Sequence, residues 1–258
     1  MHQPANSERS GAITLEDRHK VELAYHDLVA RRTRRDFYAW GALETADRFA
    51  VQRMGDVRGL TLLEIGCGTG VNTVDFAARG ALVHPTDLSG EMVRVTAERA
   101  AAARLAVFPQ QMSAEYLAFA DASFDAVFGH SVLHHTDLTI ARREVARVLK
   151  PGGRAVFLEP LDHNPLLNTF RRLTPQRRTP TERPLSVAQL AHFAEPFASL
   201  TVHPFYLAAL AAWATIPLGS RGLFRSAQGA LEGLDARLFA SVPRLGRYAW
   251  VAVIELTR

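Results

Sequence analysis

Three glycines at alternate positions, Gly66, Gly68 and Gly70, sit behind an acid, Glu64, in the stretch LLEIGCGTG of residues 62–70. Glycine lets a backbone turn through positive φ and come close to a ligand. A second acid, Asp87, closes the apolar run ALVHPTD about 20 residues on, where a carboxylate can accept from ribose hydroxyls. The dinucleotide fingerprint G-x-G-x-x-G would need a glycine or alanine at position 71, and Val71 stands there. The spacing therefore asks for a ribose-bearing ligand and lacks the fingerprint for a pyrophosphate. Proton-transfer chemistry has few candidates. His134 and His135 follow the apolar run FDAVFGHSVL and titrate near neutral pH, so each is either a general base or a structural residue beside the cofactor. Glu159 ends the run RAVFLEP and either caps the following loop or faces substrate. Cys67 has no cysteine partner and reads as a small buried residue of the glycine loop. No spacing of His, Cys, Asp and Glu marks a metal site.

The elements that must position these residues alternate in type from about Leu60. TLLEI, ALVHPTD, LAVFPQQ, FDAVFGH and RAVFLEP read as strands. VNTVDFAAR, SGEMVRVTAERAAAA and TIARREVARVLK read as helices, the last stopped by Pro151, Gly152 and Gly153. SVAQLAHFA reads as a helix opened by Ser186, SLTVHPFYL as a sixth strand and RYAWVAVIEL as a seventh. Such alternation predicts an α/β fold, a doubly wound and mostly parallel seven-stranded sheet with ligands at the carboxyl edge of its strands. Pro85 and Pro109 strain the second and third strands, because proline donates nothing to a ladder.

Residues 1–11 read as disordered and residues 13–54 as helical, a cap placed before the glycine loop. The domain organisation is then an N-terminal segment and cap over 1–55 and a core over 56–258. Substrate-loop insertions fall near 161–185 and 206–240. The first is Pro- and Arg-rich, with Arg171, Arg172, Arg177, Arg178 and Arg183. Those arginines form either a solvated face or a dock for an anionic group. The apolar run FYLAALAAWATIPL at 205–218 is too short for a membrane span and reads as a buried or pocket-wall segment. Together they suggest an acceptor that is apolar with an anionic end. A net charge of +4 spread over scattered arginines gives no nucleic-acid footprint. One cysteine and a polar N-terminus, with no signal peptide in view, point to a cytoplasmic setting.

At LLEIGCGTG, PTDLSGEMV, SAEYLAFADASFDAVFGHSVLHH and LKPGGRAVFLEP the chain resembles the class I S-adenosylmethionine-dependent methyltransferases. It is most similar to the branch holding quinone-biosynthesis and small-molecule enzymes. The resemblance covers about residues 60–160 and implies a Rossmann-like core that binds S-adenosyl-L-methionine. It implies that Glu64, Gly66, Cys67, Gly68 and Gly70 meet the methionine portion and Asp87 the ribose. Leu88 and Met92 would lie beside the adenine, and Ser113, Ala114 and Glu115 along its edge. Ser113 stands where many relatives carry an acid. His130 and Ser131 would lie near the sulfonium, closed by an aromatic of the cap such as Tyr38, Trp40 or Tyr25.

The resemblance further implies methyl transfer to a small organic acceptor: a secondary metabolite, a quinone-like ring or an isoprenoid. The N/D-P-P-Y/F motif of amide and exocyclic-amine enzymes is replaced by GHSV. An RNA or protein methyltransferase, or a non-catalytic cofactor-binding regulatory subunit, is the alternative. The intact Glu64, glycine and Asp87 set argues against an inactive subunit. The sequence is silent on oligomeric state.

Overall fold

The computed structural model describes residues 14–30, 40–177 and 179–258. The expected disorder over 1–11, Tyr38 and Arg178 lie outside the described residues. Two helices precede the sheet, α1 (Leu15–Ala30) and α2 (Glu44–Arg53). The core then runs β1 (Thr61–Ile65), α3 (Val71–Ala78), β2 (Leu82–Asp87), α4 (Gly90–Ala102), β3 (Gln110–Gln111) and β4 (Phe124–His130). It continues with α5 (Leu138–Val148), β5 (Leu149–Pro160), α6 (Pro165–Leu173), α7 (Val187–Ala194), β6 (Ser199–Phe205), α8 (Arg221–Ser241) and β7 (Val251–Thr257).

The seven strands form one sheet in the order β3-β2-β1-β4-β5-β7-β6. β1 to β5 are parallel, and β7 runs antiparallel between β5 and β6. Strand order reverses between β1 and β4, which opens a crevice at their carboxyl ends. Side chains alternate across the sheet. Leu62, Ala126, Phe128 and Val156 join one core with α2, α8 and the 3-10 segment Ala208–Leu218. Leu63, Val127, Ala155 and Phe157 join the other with α5 and α7. The apolar 205–218 run is thus spent on the first core, through Tyr206, Ala209, Leu210 and Ala212.

Local chemistry sets the ends of the elements. The Ser186 hydroxyl accepts from Gln189 N–H while the Gln189 side chain accepts from Ser186 N–H, a reciprocal cap on α7. Asp137 caps α5 by accepting from the N–H groups of Thr139 and Ile140.

Two expected boundaries shift. α5 stops at Val148 and not at the Pro-Gly-Gly itself, because a proline at 151 drives the preceding residue toward extended backbone and β5 begins at Leu149. The third strand shrinks from 105–111 to two residues. Phe108 N–H reaches the Val83 carbonyl at 3.0 Å, yet the return bond to Phe108 would have to come from residue 85, a proline. Pro85 nevertheless stays inside β2, opposite Glu64, because its missing donor faces the short edge strand and not β1. Of residues 13–54, expected as a helical cap, the described part holds α1 and α2, with a Gly41 turn (φ +77°) ahead of α2.

Glu64 lies within β1, buried, and accepts the Thr73 hydroxyl of α3. Burial raises its pKa from 4.5 to about 8, against the opposing pull of the Thr73 bond. Between those values the folded chain holds a proton that the unfolded chain has released, so this group's contribution to stability falls as pH rises from 4.5 to about 8. Glu64→Gln keeps an acceptor for Thr73 and removes the ionisation. It should flatten that decline and raise stability at pH 8 by at least about 1 kcal/mol in urea melts, with little change at pH 4.

Candidate functional site

The loop after β1 turns on its glycines. Gly66, at φ +69°, lies so close to the loop after β4 that an added Cβ would sit 2.9 Å from Val132 Cβ. Gly70, at φ +74°, presses on α4, where the same atom would meet Thr96 Cα at 2.9 Å. Between them Gly68 donates its N–H to Asp87 Oδ2 at 3.0 Å. Asp87 Oδ1 accepts from Ser89 N–H at 2.9 Å. These bonds favour the ionised carboxyl, but burial outweighs them and raises its pKa. Cys67 is buried, with Thr96 Oγ1 3.4 Å from its sulfur. Burial and then the charge of Asp87 push the thiol up, so it is a poor nucleophile.

Beyond Asp87 the crevice continues past Leu88 and Met92 to Ser113, Ala114 and Glu115. Glu115 takes Arg18 and His19 of α1 as ion-pair partners and accepts Ser113 Oγ at 3.0 Å. It thereby fastens α1 across the mouth of the site. α1 is held again through Ser89, whose hydroxyl donates to Asp27.

At the ends of β4 and β5 a buried carboxylate organises the backbone. Ser131 adopts φ +54°, a conformation that non-glycine residues rarely take, directly after β4. The chain then offers the N–H groups of Val132 and Leu133 to Glu159 Oε1 at 2.9 and 2.8 Å. His134 Nδ1 lies 2.7 Å from Glu159 Oε2. Burial alone would raise the Glu159 pKa, and His134 with these N–H donors turns the net shift downward. His134 tilts against His135, ring centroids 4.1 Å apart. His135 Nδ1 lies 2.9 Å from Glu22 Oε2 of α1. His130 Nε2 lies 2.7 Å from Asp47 Oδ1 of α2. Burial works against charge on His130, but the Asp47 carboxylate outweighs it and raises its pKa.

These groups surround one cavity of about 680 Å³. Of the residues expected from sequence, Gly66, Cys67, Gly68, Asp87, Leu88, Met92, Ser113, Ala114, Glu115, His130, Ser131 and His135 line it. Glu64, Gly70, His134 and Glu159 stand behind the wall and shape it. Trp40 packs edge-on to Phe224 of α8, 6.0 Å between centroids, away from the cavity. None of the described lining residues comes from 205–218 or is an arginine. Arg171 donates to the Leu161 carbonyl and Asn168 at 3.0 and 2.9 Å.

The lining residues that sequence reasoning missed include His19, Glu22 and His26 on α1 and Asp47 on α2. Glu22 and His26 stand four apart and so share a helix face. That signal was present in the sequence, but the direction in which the face points was not.

Residues 63–157 match the family model described as a methyltransferase domain. A demethylmenaquinone methyltransferase of Thermobifida fusca is 41% identical over 119 residues, 45% of this chain and 49% of that protein. A ubiquinone biosynthesis O-methyltransferase of Alkalilimnicola ehrlichii is 34% identical over 45% of this chain and 48% of its own length. The chain thus spans about half the length of the curated relatives it matches. Among solved structures, a phosphoethanolamine N-methyltransferase 2 of Haemonchus contortus in complex with S-adenosyl-L-methionine has a TM-score of 0.62 at 21% identity, covering 90% of this chain and 59% of that one. The [4+2]-cyclase SpnF has a TM-score of 0.56 at 20% identity, covering 83% and 81%. Glycine loop, Asp87, strand order and relatives agree: residues 63–157 form a methyltransferase domain, similar to that of the class I S-adenosylmethionine-dependent methyltransferases.

Proposed function

We propose that the protein transfers a methyl group from S-adenosyl-L-methionine to a small organic acceptor of quinone-like kind. The observation that carries this reading is Asp87, buried at the end of β2, lining the cavity and tied to Gly68 of the glycine loop. A carboxylate there can accept two ribose hydroxyls, and Val71 stands where the pyrophosphate fingerprint needs glycine or alanine. The methionine portion would lie on Gly66, Cys67 and Gly68, with Glu64 and Gly70 supporting the loop from behind. The adenine would sit by Leu88, Met92, Ser113 and Ala114, with Glu115 holding α1 over it. His130 and Ser131 would stand near the sulfonium.

The acceptor then has the remaining space, between Glu22 and His26 of α1, Asp47 of α2 and the loop after β4. Methyl transfer from a sulfonium is an in-line displacement on an activated carbon. The work of the protein is to align the two partners and exclude water. Loss of the acceptor's proton is promoted by the group around His135. His134 and Glu159 act as positioning residues that hold His135 in place. The basic side chains that this lining offers to an anionic acceptor are histidines, not the arginines of 161–185. The quinone-like class follows from the names of the relatives. The setting in secondary metabolism and the cytoplasm rests on the sequence reading; the one cysteine, Cys67, is buried and free. No described helix is long and apolar enough to cross a membrane.

A second reading has one observation behind it. The likeness to a [4+2]-cyclase means that this fold also serves chemistry other than methyl transfer, so the cofactor could be held for a different reaction.

Calorimetry of the full chain with S-adenosylmethionine, S-adenosylhomocysteine and NAD separates these classes. Binding of both sulfur compounds and not NAD is expected; tight NAD binding alone overturns the reading. Incubation with methyl-labelled cofactor and a hydroquinone or catechol then tests transfer, and binding without label transfer to any acceptor favours the second reading. Asp87→Ala should weaken S-adenosylhomocysteine binding by about 1.5–3 kcal/mol, roughly 10- to 150-fold. Unchanged affinity in a variant that still melts cooperatively would remove Asp87 from the ribose role.

A further inference from the structure

Three ligand-type side chains converge at the acceptor end of the cavity. Glu22 and His26 come from one face of α1, and His135 from the loop after β4. One ligand atom from each lies within 4.8 Å of the other two. Glu22 Oε2 is 2.9 Å from His135 Nδ1 and 3.5 Å from His26 Nε2. The imidazoles of His26 and His135 meet edge to face, centroids 5.1 Å apart.

These separations suit an ion placed between the atoms. Bonds of about 2.0–2.1 Å put neighbouring ligand atoms about 3.0 Å apart in an octahedron and about 3.4 Å apart in a tetrahedron. Glu22 Oε2 and His135 Nδ1 are both buried, and neither completes a hydrogen bond although they face each other at 2.9 Å. The separation itself lies within hydrogen-bond reach. Buried polar atoms left in that state call for a partner. The Glu22 side chain is 3% exposed, and its other oxygen accepts the hydroxyls of Thr179, at 2.8 Å, and Thr181. Those two bonds fix the carboxylate and leave Oε2 as the free donor, the outer support that metal ligands usually have.

We propose that Glu22, His26 and His135 bind one divalent first-row transition ion, zinc-like in its preferences, and that its open positions take a hydroxyl oxygen of the acceptor. Two imidazoles and one carboxylate favour such an ion over magnesium or calcium. Three protein ligands on a cavity wall leave positions for substrate, as catalytic sites do. The ion lowers the pKa of the bound hydroxyl. Its proton leaves to water, the oxygen lone pair forms the new O–C bond, and the S–C bond breaks with its electron pair passing to sulfur. The sulfonium becomes a neutral thioether. The binding of the ion stands on geometry alone; its use on an acceptor hydroxyl rests on the methyl-transfer reading.

The test is titration of the chelator-treated full chain with Co²⁺, followed by visible absorption and equilibrium dialysis. One ion per chain is expected. His26→Ala should weaken binding at least tenfold, and His26→Ala with His135→Ala should abolish the absorption band, in chains whose circular dichroism and melting remain cooperative. Glu182→Gln is the control, because Glu182 with His134 and His135 forms a neighbouring group of similar composition. Unchanged binding there supports the assignment. No binding by the wild type, equal binding by His26→Ala, or loss in Glu182→Gln overturns it. Parallel S-adenosylhomocysteine calorimetry keeps the two readings apart. Cofactor binding without Co²⁺ sinks the ion alone, and Co²⁺ binding without the cofactor sinks the methyl-transfer reading alone.

Discussion

A buried carboxylate at the end of β5 organises the site. Glu159 is fully buried, and it accepts two consecutive backbone N–H groups from the loop after β4 while facing His134. A charge in that position is tolerated only because its acceptors are filled. In return, the loop has one available path. It leaves β4 through Ser131 in a strained conformation, passes Val132 against Gly66, and delivers His135 to the cavity. The glycine loop, the β4 loop and this end of the cavity are therefore set by one side chain that does not itself line the cavity.

α1 is attached by a different kind of force. Among its described residues, the contacts to the site that stand out are polar. Glu115 takes Arg18 and His19 at one end of the crevice, and Glu22 meets Thr179, Thr181 and His135 at the other. Buried polar contacts of this sort specify position more than they add stability. The cavity thus combines a floor held by hydrophobic burial with a cover held by charge.

The floor was legible in the sequence, and the cover was not. Gly66, Gly68 and Asp87 could be placed because a strand, a tight turn and a helix are local, and their spacing carries the geometry. The seven strands could be counted because apolar runs alternate with helical ones. Sequence erred where one element's chemistry acts on another. Pro85 cuts short β3, a strand distant in sequence, by withholding a bond from Phe108. Glu159 and His134 read as candidates for the chemistry because they end a strand and follow one, but which side of the wall they face is decided by packing. Glu22, His26 and Asp47 escaped notice because their helices gain meaning only when folded onto the crevice. Of the two readings of the 205–218 run, buried or pocket wall, packing favours the first: Tyr206, Ala209, Leu210 and Ala212 join the core with α8, and none of the run lines the cavity.

β7 has a further consequence. It is last of the seven strands in the chain and yet lies inside the sheet, pairing Ala252 with Glu159 on one side and with Pro204 on the other. During synthesis the outer edge of β5 stays open until residues 251–257 have left the ribosome, and until then β6 has no partner strand in this sheet. The strand that presents Glu159 is among the last to be enclosed. The order of translation therefore makes the glycine loop and Asp87 early and gives the strand that carries Glu159 its second neighbour late.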